Sequence, residues 1–307
     1  YLKPYINIKH NMNIEAIQQL VKYEYEKCEE EFFRATDERK ATQHKLSRLR
    51  LTLEPYIFNL LILRYGQKLN EFWKSYLPPK RADKAFVIVE RRCHPNFWFV
   101  LRNIAWANPD MSVYIFCSDV NINFLKGLIG DKIDNFNLIP VFKGDPSRDE
   151  AINDYNNFLT SWKMYEAINA EWSLLVQMDV FIRRKLPDSI FIGEYWGYPF
   201  GWRPEYAGGG GATIRNIKKL YELCKKYRPN CEENVGVAED VWFCEKMLET
   251  SAIVPSFDFR RDHIMENVPS IDPYVVHQFW TYIDFFKGKL DSDIFKNYWD
   301  HILTFEI

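Results

Sequence analysis

Five short segments carry the residue types from which an active site could be built. Gln177-Met178-Asp179 ends a run of apolar residues. A carboxylate there could hold a divalent cation that carries a diphosphate, since Mg²⁺ and Mn²⁺ favour oxygen ligands and share them with phosphate. It could equally cap a turn. His277 stands late in the chain. It is either a structural histidine or the residue that completes a metal site with Asp179. Glu239-Asp240 opens a helical segment. Acids at that position stabilise the helix dipole, or one of them takes a proton from an acceptor hydroxyl as general base. Glu90-Arg91-Arg92-Cys93-His94-Pro95 could bind a nucleotide, or its acid and base could pair with each other. The fifth segment is Gly208-Gly209-Gly210-Gly211. It lacks the GKS/GKT ending of a P-loop, and no first βα turn lies there to make it a dinucleotide fingerprint. Glycine lets backbone approach a ligand closely, but a surface loop uses it too. The aromatics before it (Tyr195, Trp196, Tyr198, Phe200, Trp202, Tyr206) suit a sugar- or acceptor-binding wall or a core.

These segments follow apolar runs that read as strands. Ala85 to Val89, Val113 to Cys117, Leu138 to Phe142 and Leu174 to Met178 are short and rich in β-formers. Phe97 to Ala107 and Ala151 to Asn169 read as helices between them. The alternation predicts an α/β fold with a largely parallel sheet covered on both faces. Ligands in such sheets bind at the carboxyl ends of strands, where the polar segments lie.

Residues 12 to 77 differ in character. No Gly or Pro occurs between Asn11 and Glu54, and Glu24 to Arg50 is dominated by strong helix formers. Ile17, Leu20, Val21 and Tyr25 fall at helical spacing, followed by Phe32, Phe33, Leu46, Leu49 and Leu53. The polar stretch Thr36 to Gln43 interrupts the stripe, which argues against a long coiled coil. Pro55 marks an expected break. A second helix is expected over Tyr56 to Tyr76, with Ile57, Leu60, Leu61, Leu69 and Phe72 on its buried side. Pro78-Pro79 stops it. The expected organisation is therefore residues 1–80 as a helical arm or hairpin and 81–307 as the α/β domain. The arm packs on that domain, serves as a spacer, or pairs two chains into a homodimer.

Composition narrows the classes. Of the 307 residues 47% are hydrophobic and 17% aromatic, enough for a sizeable core and too many for a disordered chain. With 40 basic and 42 acidic residues there is no basic footprint for nucleic acid. No apolar run approaches the roughly 18 residues of a membrane span; Ile57 to Leu63 comes nearest. Cys28, Cys93, Cys117, Cys224, Cys231 and Cys244 form no CxxC pair, and read as ordinary thiols of a reducing compartment, hence a cytoplasmic expectation. The chain begins at Tyr1 without methionine and reads as a piece of a longer protein. Its Lys-, Asn- and Ile-rich composition suits an AT-rich genome.

Taken in order, the segments resemble a family of predicted GT-A-type glycosyltransferase domains of bacteria and giant DNA viruses, formerly a domain of unknown function. The resemblance runs from about Lys84 to about Trp280. Val87-Ile-Val-Glu-Arg-Arg-Cys-His-Pro95, with Val100-Leu-Arg-Asn103, is similar to the family's first strand and helix. Tyr155-Asn156 with Leu159-Thr-Ser161 resembles its YN..L..S segment. Gln177-Met-Asp179 stands for its Q-x-D, Gly208-Gly-Gly-Gly-Ala-Thr-Ile-Arg215 for its G-N-G-G segment, and Glu239-Asp240-Val-Trp-Phe243 for its E-D-V-F-F. His277 takes the place of its late histidine. Gln177 leaves one carboxylate of a D-x-D, Gly209 replaces an asparagine, and the region before Lys84 lies outside the match.

The resemblance implies a GT-A fold, a nucleotide-diphosphate sugar donor, UDP-sugar favoured, and a divalent ion, Mn²⁺ or Mg²⁺, on Asp179 and His277. Glu90, Arg92 and Asn156 would hold the nucleotide, and Gly209 and Gly210 would shape the sugar and acceptor site. Asp240, beside Glu239, would deprotonate the acceptor, a glycan, protein or small molecule, with inversion. Localisation would be cytoplasmic, in the host if the source is viral. Two other readings stand beside this one. A sugar nucleotidyltransferase would place a glycine- and basic-rich loop after the first strand, where this chain has Glu90 to Pro95 without glycine. A glycan- or nucleotide-binding module without turnover draws support from Gln177.

Overall fold

The computed structural model describes residues 14–32, 38–231 and 234–306, with 17, 21, 25, 28–32 and 38–44 in backbone only. The elements run α1 (Ile14–Phe32), α2 (Glu38–Ser75), β1 (Lys84–Val89), α3 (Phe97–Ala107), β2 (Ser112–Ser118), α4 (Ile122–Ile129), β3 (Asn137–Phe142), α5 (Arg148–Leu159), α6 (Trp162–Glu166), β4 (Trp172–Val176), β5 (Val180–Ile182), β6 (Tyr195–Gly197), β7 (Ala212–Asn216), α7 (Ile217–Tyr227), α8 (Glu239–Glu249), α9 (Phe257–His263), β8 (Ile264–Met265), β9 (Val275–His277), α10 (Ile283–Phe286) and α11 (Ser292–Ile302).

The four expected strands form one sheet. Its order is β3-β2-β1-β4-β7-β6. β3, β2, β1 and β4 are parallel; β7 and β6 add antiparallel pairings at the other side. The fold is α/β, compatible with a Rossmann-like arrangement. The central strands are buried on both faces, as continuous apolar runs require. β3 is an edge strand and half exposed, which is why Pro140 is tolerated in it. A second sheet, β5-β9-β8, sets Val180 opposite His277. That register brings two residues nearly a hundred positions apart in sequence to one corner.

The expected helix at 151–169 is two, α5 and α6. Thr160 and Ser161 separate them, and Ser161 caps the second by accepting from the Lys163 amide. Pro55 does not break α2, which runs through it. An interior proline removes one backbone bond and costs roughly 3 kcal/mol. Leu49, Leu53, Ile57 and Phe58 on either side are fully buried, and their packing holds the helix continuous.

The expected boundary at residue 80 does not divide two cores. Leu49 to Tyr76 contributes to the same apolar cluster as β1, β2 and β4. Phe58 meets Phe99 edge-to-face at 5.5 Å and Trp280 at 6.3 Å. Tyr65 stacks on Phe305 at 4.4 Å, and Arg64 pairs with Asp300 at 2.9 Å. Ile57, Leu60, Leu61 and Leu69 are buried as the spacing predicts. In α1 and the start of α2, Leu20 packs on the core, while the side chains of Ile17, Val21, Tyr25, Phe32 and Phe33 lie outside the described residues. Among the described residues no helix is long and apolar enough to cross a membrane.

Candidate functional site

β4 ends at Val176 opposite Ala212 of β7, so the turn Gln177-Met178-Asp179 and the glycine run meet at the carboxyl edge of the sheet. The Gln177 amide donates to the Gly211 carbonyl at 2.9 Å. Asp179 is 2% exposed. Its Oδ1 lies 3.1 Å from His277 Nε2, and His277 Nδ1 lies 2.5 Å from Glu266 Oε2. Its Oδ2 faces Arg50 Nη2 at 3.0 Å. That separation makes an ion pair, but among the described residues Oδ2 receives no hydrogen bond of acceptable direction. Asp179 and His277, paired in the sequence reading, are therefore neighbours. Glu266 and Arg50 are the partners it missed.

The charges follow from this packing. Burial alone would lower His277, yet the Asp179 and Glu266 carboxylates outweigh it and hold the imidazole up at about 9. Burial would raise Asp179, but His277 and Arg50 keep it well below the usual carboxylate range. Glu54, one turn after Arg50 on α2, is pushed up to about 7 by burial and by the charge of Asp179. Asn96 Nδ2 donates to Glu54 at 2.8 Å and to the Met178 carbonyl at 2.9 Å, tying α2 to the Asp179 turn. His94 Nε2 stands 3.5 Å from Glu54; burial lowers its pKa to about 4, so the ring is neutral.

Glu90 and Arg92 resolve largely as a local pair. The Glu90 carboxylate accepts from the Arg92 amide at 2.8 Å, from Nε at 2.8 Å and from Nη2 at 2.6 Å. Arg92 remains two-thirds exposed beside the corner. Asn156 is turned to a structural task, its Oδ1 accepting from the Glu239 amide at 3.2 Å and so capping α8.

The glycine run explains itself by packing. A Cβ on Gly211 would strike the His277 ring, one on Gly210 the Glu239 carboxylate, and one on Gly209 the Tyr198 ring. The space expected at Gly209 and Gly210 for a ligand is thus filled by the protein's own side chains. Gly208 takes φ +119°, where other residues are strained. The aromatics before the run divide as well: Tyr195, Trp196, Tyr198, Phe200 and Tyr206 are buried, and Trp202 is exposed. The Tyr198 ring tilts over His277 at 5.5 Å, and burial together with the Glu266 charge raises the pKa of its hydroxyl.

Glu239 and Asp240 have different fates. Glu239 is buried against Arg215, both oxygens 3.3 Å from Nη2. Burial drives it up to about 7 against the pull of that guanidinium. Asp240 is half-buried and, among the described residues, accepts backbone donors alone, Gly210 N–H at 3.2 Å and Val241 N–H at 2.8 Å. Burial raises its pKa, making it a stronger base than an ordinary aspartate.

Asp179 and His277 suit a divalent ion. Their 3.1 Å separation is a hydrogen bond, and an ion shared by the two would take the place of its proton. Glu266 on Nδ1 orients the ring as carboxylates orient metal-bound histidines. The Asp179 oxygen that receives no hydrogen bond from the described residues faces the Arg50 guanidinium. Among the described residues no third His, Cys, Asp or Glu joins them, so substrate oxygens and water would complete the shell. His277 would give up its proton on binding. Gln177 donates its Nε2 to the Tyr155 hydroxyl at 2.9 Å, which fixes the side chain as a neutral amide where a D-x-D would have a second carboxylate.

Comparison with protein families adds one match. A family model described as "Protein of unknown function (DUF5672)" covers residues 145–277. The chain is similar to that family over this span. It takes in Asp179, the glycine run, Glu239-Asp240, Glu266 and His277, and leaves out Arg50, Glu54, Glu90 and Arg92. No curated protein matches the chain.

Proposed function

We propose that this chain is a GT-A-type glycosyltransferase that moves a sugar from a nucleotide-diphosphate donor to an acceptor hydroxyl. One observation carries the reading. A buried Asp179–His277–Glu266 relay lies at the carboxyl edge of a parallel sheet, and the half-buried carboxylate of Asp240 is bound to the glycine run that touches the same relay. A bound divalent ion would neutralise charge on the leaving diphosphate. Asp179 and His277 would hold it, and Glu266 would fix the His277 ring. UDP-sugar is the favoured donor.

Asp240 acts as general base. The acceptor oxygen forms its bond to the anomeric carbon as the bond from that carbon to the diphosphate oxygen breaks. The hydroxyl proton passes to the Asp240 carboxylate, and the diphosphate leaves with the electron pair. A single in-line displacement inverts the anomeric centre. Glu239, locked to Arg215, is a positioning residue that fixes the start of α8 and thereby Asp240.

A thermal-shift screen of UDP, GDP, CDP and dTDP with and without Mn²⁺, followed by transfer assays, tests this reading. A ligand that binds only the folded protein raises its melting temperature. Stabilisation by one nucleotide with Mn²⁺, lost in Asp179→Ala, supports it. A flat screen at saturating concentration would sink it. A second reading, binding without turnover, is favoured by Gln177, which supplies an amide tied to Tyr155 where a second carboxylate would act. Donor binding without hydrolysis or transfer would select that reading.

A further inference from the structure

We propose that Arg50, on the N-terminal half of α2, is a ligand of the donor diphosphate, held on Asp179 until a divalent ion takes that carboxylate. The inference rests on the donor-site reading above, but on residues outside the span that the family model matches.

Three observations converge. First, the ion pair is incomplete. Arg50 Nη2 stands 3.0 Å from Asp179 Oδ2 without a directed hydrogen bond, although Asp179 is almost wholly buried. A guanidinium–carboxylate pair made for stability is commonly bidentate and in plane. This one is a cation placed against an anion. Second, the Arg50 side chain is 44% exposed, so it can turn without unpacking the core. Its neighbours Leu49 and Leu53 are fully buried and fix the helix from which it swings. Third, a second cation stands at the same corner. Arg92, paired with Glu90, keeps its guanidinium two-thirds exposed within electrostatic reach of Asp179 and Glu54.

Coulomb's law sets the sequence of events. A divalent ion on Asp179 repels a guanidinium only a few ångströms away. A diphosphate attracts both and screens one from the other, with planar N–H groups matched to phosphate oxygens. Arg50 thus changes partner from carboxylate to phosphate, and α2 becomes a wall of the donor site.

Isothermal titration of the full chain tests this, using wild type, Arg50→Ala and Arg50→Lys. Each is titrated with Mn²⁺ alone, then with UDP at saturating Mn²⁺; GDP, CDP or dTDP replaces UDP if it gives the larger thermal shift. Removing Arg50 should have opposite effects in the two arms. Mn²⁺ alone should bind Arg50→Ala several-fold more tightly, because its competitor is gone, while the nucleotide should bind about tenfold more weakly or worse. Arg50→Lys should recover part of the nucleotide affinity. Nucleotide affinity within twofold of wild type, or weakening of both ligands together, overturns the proposal and leaves the donor site standing. If wild type binds neither Mn²⁺ nor any nucleotide, the donor-site reading falls and takes this one with it. The melting temperatures of the variants show that they remain folded.

Discussion

Two buried charge clusters flank the glycine run, and they are built on opposite rules. At the Arg215 corner the guanidinium is fully buried and every nitrogen has a partner: Nε on Thr213 Oγ1 at 2.8 Å, Nη1 on the Tyr165 hydroxyl at 2.9 Å, and Nη2 on Glu239. At the Asp179 corner one carboxylate oxygen has no hydrogen bond among the described residues, and the cation facing it is the half-exposed Arg50 of α2. A closed network rigidifies, whereas an open one leaves a valence for a ligand. On the function proposed above, the first corner is framework and the second serves the chemistry, with Asp240 between them.

Mutation can break the comparison. The largest stability effect should come from Glu239→Ala, which leaves a buried guanidinium unpaired and should cost about 3–5 kcal/mol in denaturant unfolding. Arg50→Ala should cost less than about 1 kcal/mol in the same experiment, because a half-exposed pair contributes little. Comparable losses at both sites would erase the distinction. In a transfer assay the order reverses. Asp240→Asn should lower the rate by about 10²–10⁴ with its melting temperature nearly unchanged. Full activity there would remove the base assignment.

Gly211→Ala sharpens the contrast, since the added methyl must displace the His277 ring. It should cost about 1–3 kcal/mol and weaken Mn²⁺ binding together with stability. The last test is pH. His277 is raised from 6.5 to about 9 in the fold, so its contribution is fully present below pH 6.5 and is lost as pH rises toward 9. The melting temperature should decline through that window, and His277→Gln should flatten the decline. Glu54 is raised from 4.5 to about 7, so its share is lost between those values, and Glu54→Gln should remove that slope. A melting curve flat from pH 6.5 to 9 in wild type would mean that His277 is not held as a cation.

Local pattern carried much of the fold into view. β1 and β2 lie where continuous apolar runs predicted them, and β4 two residues earlier, because a strand buried on both faces must be apolar throughout; β3 is also where its run predicted, though it is a half-exposed edge strand. Pro55 misled for the opposite reason. Its local cost is real, but tertiary packing of Leu49, Leu53, Ile57 and Phe58 exceeds it. Arg50 and Glu54 show what stays hidden. An Arg and a Glu four apart on a charged helix look like a solvent-facing pair. Only the packing of α2 on the sheet edge points them at Asp179.

Sequence alone determined the four parallel strands of the main sheet, the helical character of the N-terminal region and the identity of most chemical groups at the sheet edge, since each depends on neighbours within a few positions. It also kept Asp179, Asp240 and His277 among the residues worth testing. Tertiary structure decided which of them meet. The pairing of Val180 with His277 brings in the histidine, the exit from β8 brings in Glu266, and α2 brings in Arg50. It also decided why the glycines are glycines. Steric exclusion by Tyr198, Glu239 and His277 acts through space, between atoms that the chain keeps far apart until it folds.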